Sequence, residues 1–319
     1  MASLELRLAE PIEYAKQPVS SGGAPKPKAA TANDFVEQQL DDRIEALESA
    51  FSADAVSFNG PIVLGVDDIV RAAIERKRGE SSVRNRLVFF LTTTGGYIEV
   101  VQRIVATLRK HYQLIDFVIP NYAYSAGTVL ALSGDAIYMD YYSRLGPIDP
   151  QVETRSGQMV SAIGYLERYE KLIAKAAHNK ITAAEVQILI QGFDQGDLYH
   201  YEQARELSIA LLKDWLVRYK FKNWDRTNTR KRKVTKKMKV DRAASIAREL
   251  NKTSKWHVHG HGISKDVLEK DLHLLIDDFS GPVARGTQVR DYHDLLADDM
   301  AKTMAQGALH FAGQYQRFM

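Results

Sequence analysis

The residue best placed for covalent chemistry in this 319-residue chain is Ser125, which precedes the small residues Ala126 and Gly127. An apolar run at residues 115–119 comes before it, and Ser125 is predicted to open a short helix through Ser133. A hydroxyl there lies beside backbone N–H groups that no helical carbonyl can reach, and the helix dipole favours negative charge. The position therefore suits a serine nucleophile whose anionic intermediate is held by amides.

A second chemical element is the pair Gly95-Gly96, which follows the apolar run at residues 87–91. Glycine lets a backbone N–H approach a neighbouring loop without a Cβ in the way. The N–H groups of Gly96 and Ala126 are therefore predicted to form an oxyanion hole for an intermediate made at Ser125. A simpler role for Ser125 is to cap its helix with its side chain, and spacing alone favours that role.

The elements that position these residues alternate between strand and helix. Apolar runs predict strands over residues 87–91, 115–119 and 136–139, and a helical spacing of apolar residues predicts a helix over residues 98–108. This order predicts parallel βαβ units in an α/β fold. The loops that follow the strands then face one side of the sheet, where Gly96 and Ser125 are both expected.

Three motifs carry a resemblance to a known family: Thr94-Gly95-Gly96, Tyr124-Ser125-Ala126-Gly127, and SRLGPIDPQ at residues 143–151. Over roughly residues 55–280 the chain resembles the serine dehydrogenase proteinase family, a relative of bacterial signal peptide peptidases and, more distantly, of the Clp proteolytic subunit. The resemblance implies a Clp protease/crotonase-like fold of repeated ββα units with extra C-terminal helices. It also implies Ser125 as the nucleophile, with Gly96 and Ala126 as the oxyanion donors.

The resemblance also bears on the base that must accept the serine's proton. The Clp proteolytic subunit uses a histidine in the segment corresponding to residues 143–151, where this chain has none and Asp149 or its neighbours stand instead. Signal peptide peptidases use a buried, neutral lysine some forty to fifty residues after the serine. The likeness therefore predicts a Ser-Lys dyad with Lys175 as the base. Lys171 and Lys180 are alternatives, and an exposed helical charge is the ordinary fate of each lysine.

Three histidines alternate in the segment WHVHGHGI: His257, His259 and His261. On an extended segment they would share one face, where they could bind a metal or bring an imidazole to Ser125. No H-E-x-x-H motif accompanies them, and the resembled family has a turn here ahead of a helix. A structural turn is therefore predicted, no metal or cofactor is expected, and these histidines are alternatives for the base.

The chain divides into four predicted segments. Residues 1–33 are expected to be flexible, because residues 18–32 have the composition of a linker. Residues 34–222 form the Clp/crotonase-like core with an N-terminal helix, and residues 223–242 form a basic loop. Residues 243–319 form a helical region that packs on the core or on another subunit.

Within these segments, apolar spacing predicts further elements. Strands are expected over residues 56–63 and 160–165, and helices over residues 34–51, 66–78, 166–177, 183–191, 199–221, 243–250, 264–279 and 292–306. In relatives of the resembled family such helices project from the core and mediate subunit packing, so the resemblance implies a homo-oligomer.

Composition sets outer bounds on the function. The formal net charge is only +3, so a general affinity for polyanions is not implied. The absence of cysteine excludes disulfides and thiolate chemistry and is compatible with a reducing cytosol. The N-terminus lacks an apolar signal-peptide core, and no apolar window of membrane-spanning length occurs. A soluble, cytoplasmic protein is therefore expected.

A local exception to this charge balance is residues 226–242, which hold nine basic residues and one acidic residue. Such a run can bind nucleic acid or form an exposed connection, and the lack of an aromatic residue argues against single-strand binding. A catalytically silent Clp-fold scaffold, or a nucleic-acid-associated protein using this run, is therefore the alternative function.

The leading function is a serine endopeptidase that cleaves peptides or unfolded proteins through an acyl-enzyme at Ser125, with a regulatory protein as a candidate partner. A crotonase-type acyl-CoA enzyme is disfavoured because such enzymes rarely place a serine at the helix start. Nucleotide binding is disfavoured because neither G-x-G-x-x-G nor G-K-[ST] follows residues 92–96.

Overall fold

The computed structural model describes residues 31–79, 84–148, 151–153, 159–227, 229–256 and 262–318. Its helices are α1 (Ala32–Phe51), α2 (Val66–Arg78), α3 (Ile98–His111), α4 (Ala126–Ala131), α5 (Ala162–Ala177), α6 (Ala183–Gly192), α7 (Gln195–Trp215), α8 (Lys236–Leu250), α9 (Thr253–Trp256), α10 (Lys265–Lys270) and α11 (Val283–Thr303). A π-helical turn, Leu216–Lys220, extends α7. The strands are β1 (Asp54–Asn59), β2 (Arg86–Thr92), β3 (Leu114–Val118), β4 (Tyr122–Ala123), β5 (Ala136–Met139), β6 (Arg144–Leu145), β7 (Gln151–Glu153), β8 (Met159–Ser161), β9 (Ile263–Ser264), β10 (Asp277–Asp278), β11 (Gly307–Phe311) and β12 (Gln314–Phe318).

The main sheet has seven strands in the order β10-β5-β3-β2-β1-β11-β12. The strands from β10 to β1 run parallel, and β11 and β12 add to the β1 edge in antiparallel fashion. Strand β2 is buried along almost its whole length, as expected of a central parallel strand covered on both faces. The βαβ order predicted from the apolar runs is confirmed.

Helices cover both faces of the sheet, and the side chains of β2 alternate between the two cores. Leu87, Phe89 and Leu91 join the core formed with α2, α3, α4, α7 and α8. Val88 and Phe90 join the core formed with α1 and α11. The predicted N-terminal helix is therefore an intramolecular packing helix, and its apolar residues Leu40, Ile44, Leu47 and Phe51 are buried.

A second, smaller sheet of β4, β6 and β9 extends the units that contain the candidate residues. Strand β3 is followed by β4 and then α4, which is a ββα unit. After β2, the chain makes bridges from Thr93 to Ala123 and from Gly96 to Ile62 before α3 begins, which repeats the same pattern. Repeated ββα units were predicted, and these two units confirm them.

Two of the predicted elements are wrong in type. The strand expected over residues 160–165 ends at Ser161, and α5 already begins at Ala162. On this helix Tyr165 and Tyr169, four residues apart, pack with Leu166 against Leu198 and Tyr201 of α7. The helix expected over residues 264–279 stops at Lys270. Beyond it Leu272, Leu274 and Ile276 are all buried, a period of two that leads into β10.

The segment after residue 243 contains helices, but it also completes the main sheet. Strand β11 is buried at every position and pairs with β1, and β12 pairs with β11. The tail thus docks on the body of the same chain, which was one of its two expected positions. The four-segment division of the chain stays a prediction. Across the described ranges, no helix is long and apolar enough to cross a bilayer.

A buried polar chain ties α1 to this C-terminal hairpin and gives the fold a predictable response to acid. Asp41 Oδ1 lies 2.9 Å from His310 Nε2, and His310 Nδ1 lies 2.9 Å from the Tyr292 hydroxyl. The hydrogen bond from His310 lowers the pKa of Asp41. This stabilisation is therefore present above the unfolded pKa of about 3.9 and is lost as the pH falls through the lower folded pKa.

The wild type loses this stabilisation as the pH falls, whereas Asp41→Asn has no carboxylate to titrate. Between about pH 6 and about pH 3, we therefore expect the free energy of unfolding of Asp41→Asn to fall by about 1 kcal/mol less than that of the wild type. Urea unfolding midpoints at each pH measure this difference. Asp42→Asn, on the same helix but bonded only to Gln38 and Gln39, is the matched control. Identical pH dependence in Asp41→Asn and the wild type would contradict this interpretation.

Candidate active site

Ser125 lies immediately before α4, in the loop between β4 and that helix. The residue is 5% exposed, and its side chain makes no capping hydrogen bond to the helix. The position at the helix start was predicted, but the simple capping role that spacing favoured is not what the side chain performs. The placement therefore calls for another explanation of this serine.

The backbone of Ser125 is strained, with φ 52° and ψ −121°. A side chain with a Cβ rarely adopts positive φ, and such conformations cost of order 1–3 kcal/mol and persist only where the surroundings enforce them. Strand-to-helix turns that present a nucleophilic serine are strained in a similar way. An energetic cost at the one residue placed for chemistry points to function.

The strain at Ser125 gives a stability test that compares two inactive variants. We expect Ser125→Gly to be more stable than Ser125→Ala by about 1 kcal/mol, because glycine accepts positive φ and alanine does not. Both variants lack the hydroxyl, so its hydrogen bonding cancels in the comparison. Chemical denaturation measures the difference, and an alanine variant at least as stable as the glycine variant would show that Ser125 is unstrained.

The loop with Gly95 lies directly against Ser125. A bridge from Thr93 to Ala123 aligns the two loops, with Thr93 N donating to Tyr122 O at 3.0 Å and Tyr124 N donating to Thr93 O at 3.0 Å. A Cβ on Gly95 would meet the Cβ of Ser125 at 2.8 Å. The two loops expected to meet at the carboxyl edge of the sheet therefore touch.

Gly96 occupies a site that no larger residue can enter. It bridges Ile62, with Ile62 N donating to Gly95 O at 2.8 Å and Tyr97 N donating to Ile62 O at 2.9 Å. A Cβ on Gly96 would lie 2.0 Å from the Ile62 carbonyl oxygen. In a parallel bridge of this kind the flanking residues make the bonds, so the N–H of Gly96 itself points away from Ile62.

The other predicted donor, the N–H of Ala126, lies in the first turn of α4. Its neighbours have acceptors: Gly127 N donates to Tyr124 O at 2.8 Å, and Thr128 N donates to Ser125 O at 2.9 Å. Over the described ranges of the chain, neither the Gly96 N–H nor the Ala126 N–H donates a hydrogen bond within the protein. Two amides that flank a serine thus retain the capacity to hold an anion.

Lys175, the predicted base, lies on α5 with about half of its side chain exposed. Its Nζ is 2.5 Å from Glu185 Oε1 of α6, and this hydrogen bond lowers the pKa of Glu185 to about 2. The structure thus gives Lys175 a carboxylate partner in the helical segment after the core. The alternatives Lys171 and Lys180 are exposed as well.

Several other predicted candidates fall outside what the structure describes. Asp149 and His257, His259 and His261 lie outside the described residues. Elsewhere in the described chain, no group of three or more His, Asp or Glu side chains is arranged to hold a metal ion.

One titratable residue that the sequence interpretation overlooked is Lys220, at the end of the π-helical turn. Burial lowers its pKa to about 8, against the attraction of Asp277, Asp116 and Asp135. Asp116 lies within β3 and Asp135 precedes β5, whereas Ser125 follows β4, beyond the carboxyl end of β3. Lys220 has the electrostatic character of a catalytic lysine but sits beside a different part of the sheet.

The basic run at residues 226–242 forms a short hairpin and the first turns of α8. Arg226 bridges Lys233, and Arg226 Nη1 donates to Lys231 O at 3.2 Å. Between residues 229 and 242 and at Arg226, no basic side chain forms an ion pair with a described carboxylate. The run therefore leaves a concentration of positive charge on the surface.

Comparison with known proteins shows a family to which the central segment of the chain is similar. Residues 84–214 match the family of ClpP-like SDH-type serine proteinases. This segment contains β2 through α7, and hence Gly96, Ser125 and Ala126. The resemblance to the serine dehydrogenase proteinase family is thereby confirmed over that segment. With the mostly parallel sheet and its ββα units, the match also confirms the Clp/crotonase-like fold class and supports a serine peptidase, a hydrolase.

Two curated relatives are uncharacterized proteins of Methanocaldococcus jannaschii. One is 32% identical over 123 residues, which is 37% of this chain and 43% of the relative. The other is 32% identical over 94 residues, which is 30% of each chain. The chain thus matches less than half the length of either relative.

Among solved structures, the chain is similar to the 1510-N membrane-bound stomatin-specific protease. A serine-to-alanine mutant of that protease has a TM-score of 0.41 and 14% identity, covering 76% of this chain and 81% of the other. A lysine-to-alanine mutant in complex with a substrate peptide has the same TM-score and identity, covering 83% and 85%.

Proposed function

We propose that this protein is a serine endopeptidase that cleaves peptides and unfolded protein segments through an acyl-enzyme at Ser125. The single observation that carries the proposal is the strained, buried Ser125, beside which the amides of Gly96 and Ala126 have no acceptor among the described residues. Strain at a helix start beside unused donors is costly to maintain without a reaction to support. The family match of residues 84–214 supports the same reaction class.

The proposed reaction has two stages that share one oxyanion hole. Ser125 Oγ attacks the scissile carbonyl carbon while its proton passes to the base, and the N–H groups of Gly96 and Ala126 hold the resulting oxyanion. The C–N bond then breaks, and the departing amine takes a proton from the base. Water attacks the acyl-enzyme in the same way, which releases the acid product and restores the Ser125 hydroxyl.

Lys175 is the proposed base, in a Ser-Lys dyad. It must be neutral to accept a proton, so its ion pair with Glu185 has to open before the reaction. Glu185 is therefore the partner from which the Lys175 side chain must be released.

This arrangement yields a prediction in which two substitutions act in opposite directions. We expect Lys175→Met to lower the acylation rate at least about 100-fold, the contribution of a general base. Glu185→Gln removes the carboxylate on α6 that binds the Lys175 side chain, so the amine is released from this contact, and we expect the rate to rise. Acylation by a fluorophosphonate, followed over time, measures both rates.

Lys171→Met and Lys180→Met are the matched controls, since both lysines are exposed residues of the same region. If Lys175→Met acylates at the wild-type rate while one of these two variants is slow, the base is that other lysine. If all three acylate normally, the dyad is wrong and a histidine of residues 257–261 becomes the candidate.

The same proposal includes the substrate class, the oligomeric state, the location and the partner of the protein. The substrate is a peptide or an unfolded protein, the protein acts as a homo-oligomer in the cytoplasm, and a regulatory protein is a candidate partner. The direct test is to incubate the protein with a denatured substrate and to follow fragments by mass spectrometry. Fragments that appear with the wild type and not with Ser125→Ala support the proposal, and none with either contradicts it.

Association with nucleic acid is a second candidate function, favoured by one observation. The basic side chains of the hairpin and of the start of α8 have no carboxylate partner among the described residues. Phosphate binding would give a binding constant whose logarithm falls linearly with the logarithm of the salt concentration. Fluorescence anisotropy with a labelled duplex over a salt series, for the wild type and for Arg230→Ala/Arg232→Ala, measures it. An affinity that is absent, or unchanged by the substitutions, rules this function out for the run.

A further inference from the structure

A buried carboxylate, Asp140, anchors the turn between β5 and β6; it directly follows β5 and is 3% exposed. Its Oδ1 accepts hydrogen bonds from the backbone N–H groups of Tyr142 at 2.9 Å and Ser143 at 3.0 Å. Its Oδ2 accepts from both Nε (3.1 Å) and Nη2 of Arg290 on α11. An arginine from the C-terminal part of the chain thus holds the turn that leads into β6.

The same arginine holds the stretch that leads to Ser125. Its Nη1 donates to the carbonyl oxygen of Pro120, which follows β3. Beside it, Ser143 Oγ donates to the carbonyl oxygen of Ile119 at 2.5 Å. A planar guanidinium can serve a carboxylate and a carbonyl at fixed angles at the same time, whereas an ammonium is a single point of charge.

From this junction, backbone bonds continue to the nucleophile's loop. Arg144 N donates to Asn121 O at 2.8 Å, and the pairing of β4 with β6 places Ala123 opposite Leu145. Thr128 Oγ1, in α4, then donates to Ala123 O at 2.7 Å. The contacts of Arg290 are therefore linked, without a gap, to the residues on both sides of Ser125.

We propose that Arg290 is a positioning residue for the acylation step, and this rests on the function proposed above. By fixing Asp140 and the Pro120 carbonyl together, it prevents the β4 and β6 segments from relaxing. That restraint keeps Ser125 at positive φ and keeps the Ala126 amide aimed at the developing oxyanion. A shift of about 1 Å in such groups slows a reaction by about 100-fold, even when the altered residue is distant from the chemistry.

The test is Arg290→Lys, which keeps the charge opposite Asp140 but removes the fork that also reaches Pro120. Arg285→Lys is the matched control. Arg285 is also on α11, binds the backbone carbonyls of Phe279 and Asp278, and stacks on the rings of Phe51 and Tyr138, but these contacts involve neither Asp140 nor Pro120. We expect Arg290→Lys to acylate with a fluorophosphonate about 10- to 100-fold more slowly than the wild type. Arg285→Lys should acylate at the wild-type rate.

Two further measurements separate positioning from general destabilisation. Asp140→Asn should slow acylation to a similar extent, and the double variant Arg290→Lys/Asp140→Asn should be no slower than either single variant, because one brace is removed in all three. Hydrogen exchange of the amides in residues 119–131 should be faster in Arg290→Lys than in Arg285→Lys.

The outcomes are distinct. Wild-type acylation by Arg290→Lys, or equal slowing by Arg285→Lys, overturns the positioning role. If the wild type itself does not acylate at Ser125, the proposed function fails, while the hydrogen-exchange comparison still decides whether Arg290 braces this loop. Unchanged exchange in residues 119–131 then overturns the brace as well.

Discussion

Ser125→Ala is expected to lower peptide-bond hydrolysis by at least about 10³-fold, because removal of the nucleophile abolishes the acyl-enzyme route. The side chain of Ser125 makes no capping bond to α4, so the helix start does not depend on it for that bond. The variant should therefore fold as the wild type does. The measurement is the rate of fragment formation from a denatured protein substrate, with the melting temperature recorded for both proteins.

Ser133→Ala is the matched control for this result. Ser133 is a buried serine just beyond α4, and its hydroxyl donates to Leu130 O at 2.6 Å. We expect its loss to cost about 1 kcal/mol of stability and to leave hydrolysis unchanged. Hydrolysis that survives in Ser125→Ala would assign the activity to another residue or to a contaminant.

Gly96→Ala is the second substitution with a large expected effect. The added Cβ would lie 2.0 Å from the Ile62 carbonyl oxygen, so the bridge to Ile62 must open and the amide of residue 96 must turn. Loss of one oxyanion donor costs about 10²–10³ in rate. We therefore expect Gly96→Ala to slow acylation of Ser125 by about that factor, as measured with a fluorophosphonate probe.

Gly65→Ala separates the loss of the donor from the cost of placing alanine at positive φ. Gly65 has φ +92°, but a Cβ there meets no atom within 4 Å. The Gly65→Ala variant should therefore lose about 1–2 kcal/mol of stability through backbone strain alone, and it should keep the wild-type acylation rate. Equal acylation by Gly96→Ala and the wild type would remove Gly96 from the oxyanion hole.

Local patterns predicted most of the elements that carry the candidate site. The apolar runs before Gly95 and Ser125 are strands of a parallel sheet, so both loops had to emerge at the same edge. Residue type and spacing alone favoured a capping role for Ser125, and it was the resemblance to a known family that indicated a nucleophile there. That Ser125 is strained could not be predicted, since φ depends on the contacts of the completed loops.

What the sequence did not reveal depends on contacts between distant residues. Arg290 binds Asp140 across 150 positions of the chain, and no local pattern marks either residue. The bridge from Ile62 to Gly96 likewise forms only after β1 and β2 are paired. Alternation at Leu272, Leu274 and Ile276 was available as a signal for extended structure, but a helical interpretation of the charged residues around them obscured it.

The sequence could not identify the lysine that acts as the general base, for a different reason. Lys175 was predicted from its distance along the chain from Ser125, and the structure pairs it with Glu185. Lys220 acquires its lowered pKa only through burial in the folded protein, so no sequence pattern could distinguish it from an exposed lysine. Whether a lysine can act as a general base depends on its burial and on the charges near it, and only the folded structure determines these.

The most direct test of the central claim is to label the wild-type protein with a fluorophosphonate probe and to locate the adduct by mass spectrometry. An activated serine beside an oxyanion hole predicts one adduct per chain on Ser125, none on Ser125→Ala, and slow labelling of Gly96→Ala. A folded wild-type protein that gains no adduct at Ser125 would contradict the account.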